Sequence, residues 1–147
     1  MPYLNLKLAA PAAAGAVAEL AARLATLTTE VLGKKHGVTA VAVEHAPFTR
    51  WFIGGRPLSA GVASFFLEVK VTEGTNTKDE KAAFLRGAYA AAEEVLGPVD
   101  PASYIVIQEV RADAWGYAGA TQEQRYIESR AAAAGARDSQ PSRLHAL

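Results

Sequence analysis

The 147-residue chain contains no cysteine, which excludes a disulfide framework and thiolate metal sites. It carries no excess charge of either sign, with Lys plus Arg at 15 and Asp plus Glu at 15. A nucleic-acid partner favours a basic surface, so none is expected, and neither is attraction to an anionic membrane. Histidine is scarce: His36, His45 and His145 fit no metal-ligand spacing. A basic-then-apolar leader is missing, and the Ala-rich stretch from Ala9 to Ala25 is broken by Glu19 and Arg23, too polar to span a bilayer. Gly54, Gly55 and Gly61 lack the lysine and helix start of a phosphate loop. Ser59 and Ser64 have no accompanying His–Asp order that would make a nucleophile. These absences leave a soluble, cytoplasmic protein without a metal site as the expectation. Half the residues are hydrophobic, enough for one compact core.

What is present is a repeat. Leu4-Asn5-Leu6-Lys7-Leu8 alternates apolar and polar, the pattern of a half-buried strand. A helix follows from Pro11, with Val17, Leu20, Leu24, Leu27 and Val31 on one stripe and Gly33 as its stop. Lys34 and Lys35 suit the negative end of its dipole. Val38 to Val43 reads as a second strand, giving a parallel βαβ unit. Leu67-Glu68-Val69-Lys70-Val71 copies the first strand at an offset of 63 residues. A second helix starts at Lys78 with Thr77 as N-cap and Glu80 in support, and carries Leu85, Ala88, Tyr89, Ala92 and Leu96 on its apolar face. It ends in Glu94-Val95-Leu96-Gly97, identical to Glu30-Val31-Leu32-Gly33 at an offset of 64. Tyr104 to Val110 is the second copy of the second strand, Glu109 matches Glu44, and Trp115 matches Trp51.

One module is too small to stand alone. The fold class expected is therefore α+β: tandem β-α-β modules forming one four-stranded mixed sheet with two helices on one face. A single domain is expected over residues 1–135, with module one about 2–56, module two about 64–120 and a C-terminal helix about 121–134, followed by a tail at 136–147. The other sheet face is expected to stay apolar and uncovered. Burying it, with edge pairing by the short aromatic-glycine hairpins Trp51 to Gly55 and Trp115 to Gly119, predicts a homotrimer.

Pro2 follows the initiator methionine and directly precedes the first strand. Loss of Met1 leaves a free cyclic secondary amine. Ordinary α-amino groups titrate near ~8, and burial or nearby cations lower that value toward the range useful for proton transfer.

Taken together, Pro2 opening a strand, a helix ending Val-Leu-Gly, a second strand closing on Glu, and the tandem order resemble the tautomerase superfamily. The closest likeness is to two-module members of its 4-oxalocrotonate tautomerase group. Val71-Thr72-Glu73-Gly74 resembles that group's first strand and turn, and Ile107 to Val110 with Trp115 to Gly119 resembles its second strand and hairpin. The first module, with Phe52-Ile53-Gly54-Gly55, also resembles the long two-module members such as cis-3-chloroacrylic acid dehalogenase. The resemblance covers about residues 2 to 120. It implies a trimer of two-module chains and cofactor-independent proton transfer by Pro2 as general base and acid. It also makes Trp115, and Trp51 in the first module, the aromatic residues that line a site. The family's arginines do not carry over: the short tautomerases' positions are Ala12 and Thr39 in module one and Thr75 and Tyr104 in module two. The dehalogenase's arginines fall near Thr72 and Thr75, and its histidine near Thr29, which disfavours dehalogenation.

The implied reaction moves a proton from oxygen to carbon in a small enol or 2-hydroxy-dienoate acid, the expected small-molecule partner. Negative charge developing on the enolate needs a cation or donors. Arg50 and Arg56 flank the first hairpin beside Trp51 and are the expected carboxylate holders, each equally readable as a surface arginine or subunit salt bridge. Tyr104 is an expected donor, with a core or interface role as its alternative. Lys7 and Lys70 read as a solvated face or a subunit contact. Glu44 and Glu109 read as a shared structural feature. Two other readings stand beside the enzyme: a non-catalytic small-ligand-binding or assembly protein that keeps the fold, and a ferredoxin-like regulatory domain with no role for a free amino terminus.

Overall fold

The computed structural model describes residues 1–11 and 13–138. Ala12, His145 and the expected tail beyond residue 138 lie outside the described residues. The chain divides into two compact units, residues 1–110 and residues 111 onward.

The first unit holds β1 (Tyr3–Ala9), α1 (Ala14–Leu32), β2 (Ala40–His45), the short hairpin β3 (Phe52–Ile53) and β4 (Arg56–Pro57), β5 (Ser64–Thr72), α2 (Lys78–Leu96) and β6 (Tyr104–Val110). Its sheet runs β2-β1-β5-β6. β1 and β2 are parallel, β5 and β6 are parallel, and β1 meets β5 antiparallel with Leu6 opposite Leu67. This is the expected α+β arrangement of two βαβ modules, related by an approximate two-fold between β1 and β5.

The alternation in the strands decides what is buried. Leu4, Leu6 and Leu8 of β1 and Phe65, Leu67, Val69 and Val71 of β5 are at most 1% exposed and point to the helices. Leu20 and Leu24 of α1 and Phe84, Ala88 and Ala92 of α2 meet them from above. Each large side chain so buried contributes about 1.5–3 kcal/mol of transfer free energy. At Gly87 an added Cβ would stand 3.0 Å from the Leu27 methyls, so the missing side chain lets α2 come close to α1.

The opposite sheet face differs from the expectation of an apolar surface. It is mixed: Tyr3, Phe66, Tyr104 and Val106 alternate with Asn5, Lys7, Glu68, Lys70 and Gln108. Lys70 pairs with Glu68 at 2.9 Å and donates to the Gln108 amide oxygen at 2.7 Å. The same period of two that hides the leucines brings these charges to one face.

Local boundaries have local causes. α2 begins with a full capping box: Glu80 N–H donates to Thr77 Oγ1 at 3.1 Å, and Thr77 N–H donates to Glu80 Oε1 at 2.8 Å. α1 begins at Ala14 rather than Pro11, with Ala13 giving no side-chain cap. β2 starts later than Val38 because His36–Val38 forms a 3₁₀ turn, closed by Thr39 Oγ1 donating to the Lys35 carbonyl at 2.7 Å.

The second unit holds the hairpin β7 (Gly116–Tyr117) and β8 (Ala120–Thr121), then α3 (Gln122–Asp138). Thr121 and Gln124 cap α3 reciprocally at 2.9 and 3.0 Å. Arg125 donates to the Tyr117 carbonyl at 2.8 Å and lies over the Tyr117 ring. Among the described residues no helix is long and apolar enough to cross a membrane.

Candidate active site

The first residues of β1 lie at the end of the sheet where β2 also starts, because the two strands are parallel. Ala40 N–H donates to the Pro2 carbonyl at 3.4 Å, and the Pro2 side chain is fully buried. A βαβ unit returns its helix antiparallel to the strands. The residues just after α1 are therefore delivered to this same end. Gly33, at φ 67°, makes the left-handed turn that stops the helix, donating to the Thr29 carbonyl at 3.1 Å. Lys34 follows, half-buried, with Lys35 exposed beside it.

The second module contributes to this end because β5 runs antiparallel to β1. Its turn after Thr72 meets Lys34. Lys34 Nζ donates to Thr75 Oγ1 at 2.7 Å, and Thr75 Oγ1 donates on to the Thr72 carbonyl at 2.6 Å. Asn76 Nδ2 donates to the Leu32 carbonyl at 2.9 Å, tying the same turn to the last residue of α1. Thr75 stands where the resemblance sets an arginine, and the lysine bound to it brings a cation to that place from the other module.

The electrostatics follow. The α-amino group of Met1 is held below its ordinary value by burial first, then by the charges of Lys34 and Lys35. Lys34 is itself lowered by burial, with Glu80 opposing. Glu80 is held below the usual carboxylate range, first by the Thr77 backbone N–H, then by the Thr77 side chain. The amino terminus thus sits in surroundings that favour a neutral amine.

The expected binding residues fall elsewhere in the first unit. The hairpin leaves β2 at its far end, where Ala46 N–H donates to the Leu8 carbonyl. β1 is seven residues long; at about 3.3 Å per residue that puts Arg50, Trp51 and Arg56 roughly 20 Å from Pro2 within one chain. Arg50 and Arg56 are exposed. Tyr104 lies at that far end too, opposite Phe66, which is itself opposite Lys7. Trp51, Phe52, Phe65, Phe66 and Tyr104 there line a cavity of about 320 Å³. The first unit thus brings Pro2 together with Lys34, and Trp51 with Tyr104, but not one pair with the other. Trp115 belongs to the second unit, where its carbonyl accepts from Gln122 N–H at 3.0 Å. Trp51 accepts equivalently from Leu58 at 2.8 Å, so the two hairpins repeat in hydrogen bonding as well as sequence. Glu44 and Glu109 are not a pair: Glu44 lies opposite Lys7, while Glu109 lies opposite Val71 and bonds Lys81 at 3.3 Å.

Residues 66–125 match the Tautomerase family model, described as tautomerase enzyme. Among solved structures the chain is similar to Pt0534 inactivated by 2-oxo-3-pentynoate, at 14% identity and a TM-score of 0.75, covering 84% of this chain and 98% of that one. It is also similar to a wild-type fused 4-OT solved as a symmetric trimer, at 18% identity and a TM-score of 0.72, covering 82% and 96%. A macrophage migration inhibitory factor-like protein from Entamoeba histolytica gives 22% identity and a TM-score of 0.69, covering 82% and 97%. At these identities the likeness to solved structures shows the fold. No curated protein matches the chain. The family match covers the second module and the hairpin after it, and the strand order and duplication give the chain the two-module, 4-OT-like form of the tautomerase fold.

Proposed function

We propose that the mature chain is a cofactor-independent tautomerase or isomerase acting on a small enol or 2-hydroxy-dienoate acid, with Pro2 as general base and acid. The observation that carries this reading is the surroundings of the amino terminus: half-buried, beside two lysines, next to the buried Pro2 ring at the start of β1. Removal of Met1 moves the free amine one residue inward, to the buried Pro2 ring. As a neutral amine Pro2 takes the enol O–H proton, and as an ammonium it returns a proton to carbon. Lys34 holds the substrate carboxylate or the developing enolate oxygen, since among the described residues only one of its three donors is engaged, by Thr75. This reassigns to Lys34 the work expected of Arg50 and Arg56. The chain works as a homotrimer, a reading supported by the uncovered sheet face and by the trimeric fused 4-OT among its structural neighbours.

The test is ketonisation of phenylenolpyruvate by wild type and Pro2→Ala. A loss of about 10²-fold or more is expected, the scale of general acid–base catalysis. A chain with one residue appended ahead of Pro2 loses activity as well, because the amine becomes an amide. Equal rates in all three remove Pro2 as the base. A rate in all three no higher than the uncatalysed one supports instead a non-catalytic ligand-binding or assembly protein, the reading favoured by the non-arginine residues at Thr39 and Thr75.

A further inference from the structure

We infer, resting on the reading of Lys34 as the cation that holds the substrate acid, that Thr75 is its positioning residue and fixes the ammonium where the acid group meets it. Thr75 lies in the turn between β5 and α2, so the second module steers a side chain of the first. The direction of its hydrogen bonds decides what it does. A threonine hydroxyl has one proton to donate and two lone pairs to offer. Thr75 Oγ1 donates that proton to the Thr72 carbonyl at 2.6 Å, while the other acceptor in reach, Asn76 Oδ1, stands at 3.5 Å. The oxygen therefore faces Lys34 with a lone pair, and Lys34 Nζ donates to it at 2.7 Å. An ammonium on a flexible four-carbon stem has many rotamers. One short bond to a fixed oxygen selects among them and leaves two N–H groups for a ligand. Thr75 is itself held in place: Asn76 Nδ2 donates at 2.9 Å to the carbonyl of Leu32, one of those that the end of α1 leaves without a helical partner.

The duplication supplies a comparison within the chain. With Leu4 equivalent to Leu67, an offset of 63, Thr75 and Asn76 are equivalent to Ala12 and Ala13. With Gly33 equivalent to Gly97, Lys34 is equivalent to Pro98. All three polar side chains are missing together from the equivalent positions. The end of α2 is nevertheless tied to the sheet: Ala63 N–H donates to the Pro98 carbonyl at 2.9 Å, and Asp100 N–H donates to the Ala63 carbonyl at 2.8 Å. Backbone bonds therefore join a helix end to a strand without a lysine or a hydroxyl. A brace alone would need neither Lys34 nor Thr75, and half-burying an ammonium costs free energy that such a brace avoids. The pair occurs at the end that carries the amino terminus, and the Lys34 charge acts on that terminus.

The experiment is calorimetric titration of the full-length protein with trans-cinnamate, an acid with no enol to ketonise. Lys34→Ala is expected to weaken binding about tenfold, and Thr75→Val, which keeps the shape and removes the oxygen, about fivefold or more. Thr75→Ser keeps the oxygen and restores the wild-type affinity. In the Lys34→Ala background Thr75→Val adds no further loss, because no ammonium remains to be held; side chains acting independently would add their losses. Thr75 is exposed, and an unchanged urea midpoint for Thr75→Val shows that the fold is kept. Unchanged binding in Thr75→Val where Lys34→Ala weakens it, additive losses in the double variant, or no rescue by serine overturns the proposal. A wild-type chain that binds no cinnamate, or one whose binding ignores Lys34→Ala, overturns it together with the assignment of Lys34. Ketonisation rates separate this from the enzymatic reading: equal rates for wild type and Pro2→Ala remove the base and leave the Lys34–Thr75 coupling in place as a ligand anchor.

Discussion

Lys34 illustrates how one side chain acquires a role from its position in the chain. As a residue after a helix it complements the dipole. As a residue after the helix of a βαβ unit it stands beside the first residue of β1. Its charge lowers the α-amino group of Met1, after burial has done so first, and the same sign is expected at the Pro2 amine once Met1 is removed. The sign of its removal follows. Without the cation the amine's pKa rises, so the ascending limb of kcat/KM against pH moves to higher pH in Lys34→Ala. Lys34→Arg keeps the charge and leaves the limb close to its wild-type position. KM rises as well, by about tenfold or more, the scale of a lost hydrogen bond to a charged group. Steady-state profiles of the three proteins check both effects. An unshifted limb with an unchanged KM removes Lys34 from the site. The pair Lys34 and Lys35 was visible in the sequence, but only as a helix-end feature. Arg50 and Arg56 drew the stronger reading because they flank a tryptophan, and adjacency in sequence is a poor guide when a seven-residue strand separates the two ends of a sheet.

At the scale of elements, the same topology that carries Lys34 to Pro2 carries the turn after β5 to Lys34. That turn is also the start of α2. Thr77 and Glu80 fix its first residues through the capping box. Thr77→Ala is expected to cost about 1 kcal/mol. It reads as a lower urea midpoint with an unchanged slope. An unchanged midpoint shows that the cap bonds contribute nothing beyond what water supplies. Glu80 adds a pH dependence. Its carboxyl is depressed in the folded chain, so its contribution is present above the unfolded carboxylate value and is lost as pH falls through the lower folded one. These elements were legible from the chain. The leucine alternation, the helical stripe ended by Gly33 and the Thr77–Glu80 spacing each have one physical solution, and β6 runs from Tyr104 to Val110 as expected. The 3₁₀ turn ahead of β2 was not legible. His36-Gly37-Val38 has no periodicity, and Val38 is apolar and β-branched like the strand that follows.

The whole molecule is a duplication whose halves keep one backbone plan. Ladder, helix and hairpin recur, down to the carbonyls of Trp51 and Trp115 accepting from residues seven further on. The open face of the sheet shows what sequence pattern alone missed. Period-two alternation gave two faces, but it did not show that Lys7, Glu68, Lys70 and Gln108 would gather on one of them. A face so mixed, with Tyr3 and Tyr104 exposed, suits contact with other copies through paired polar groups as well as apolar ones. Native mass measurement at low micromolar concentration is expected to give three times the 15.5 kDa chain. A single 15.5 kDa species contradicts the trimer.

The most direct test of the central claim, a free and nucleophilic Pro2, is intact-mass and N-terminal peptide analysis after treatment with 2-oxo-3-pentynoate, the reagent that inactivated one structural neighbour. A neutral secondary amine adds across the conjugated alkyne, forming one C–N bond with no leaving group. The account predicts a chain without Met1 that takes up one equivalent on Pro2 and loses tautomerase activity in step. A chain that keeps Met1, or one whose Pro2 stays unmodified while activity persists, contradicts it.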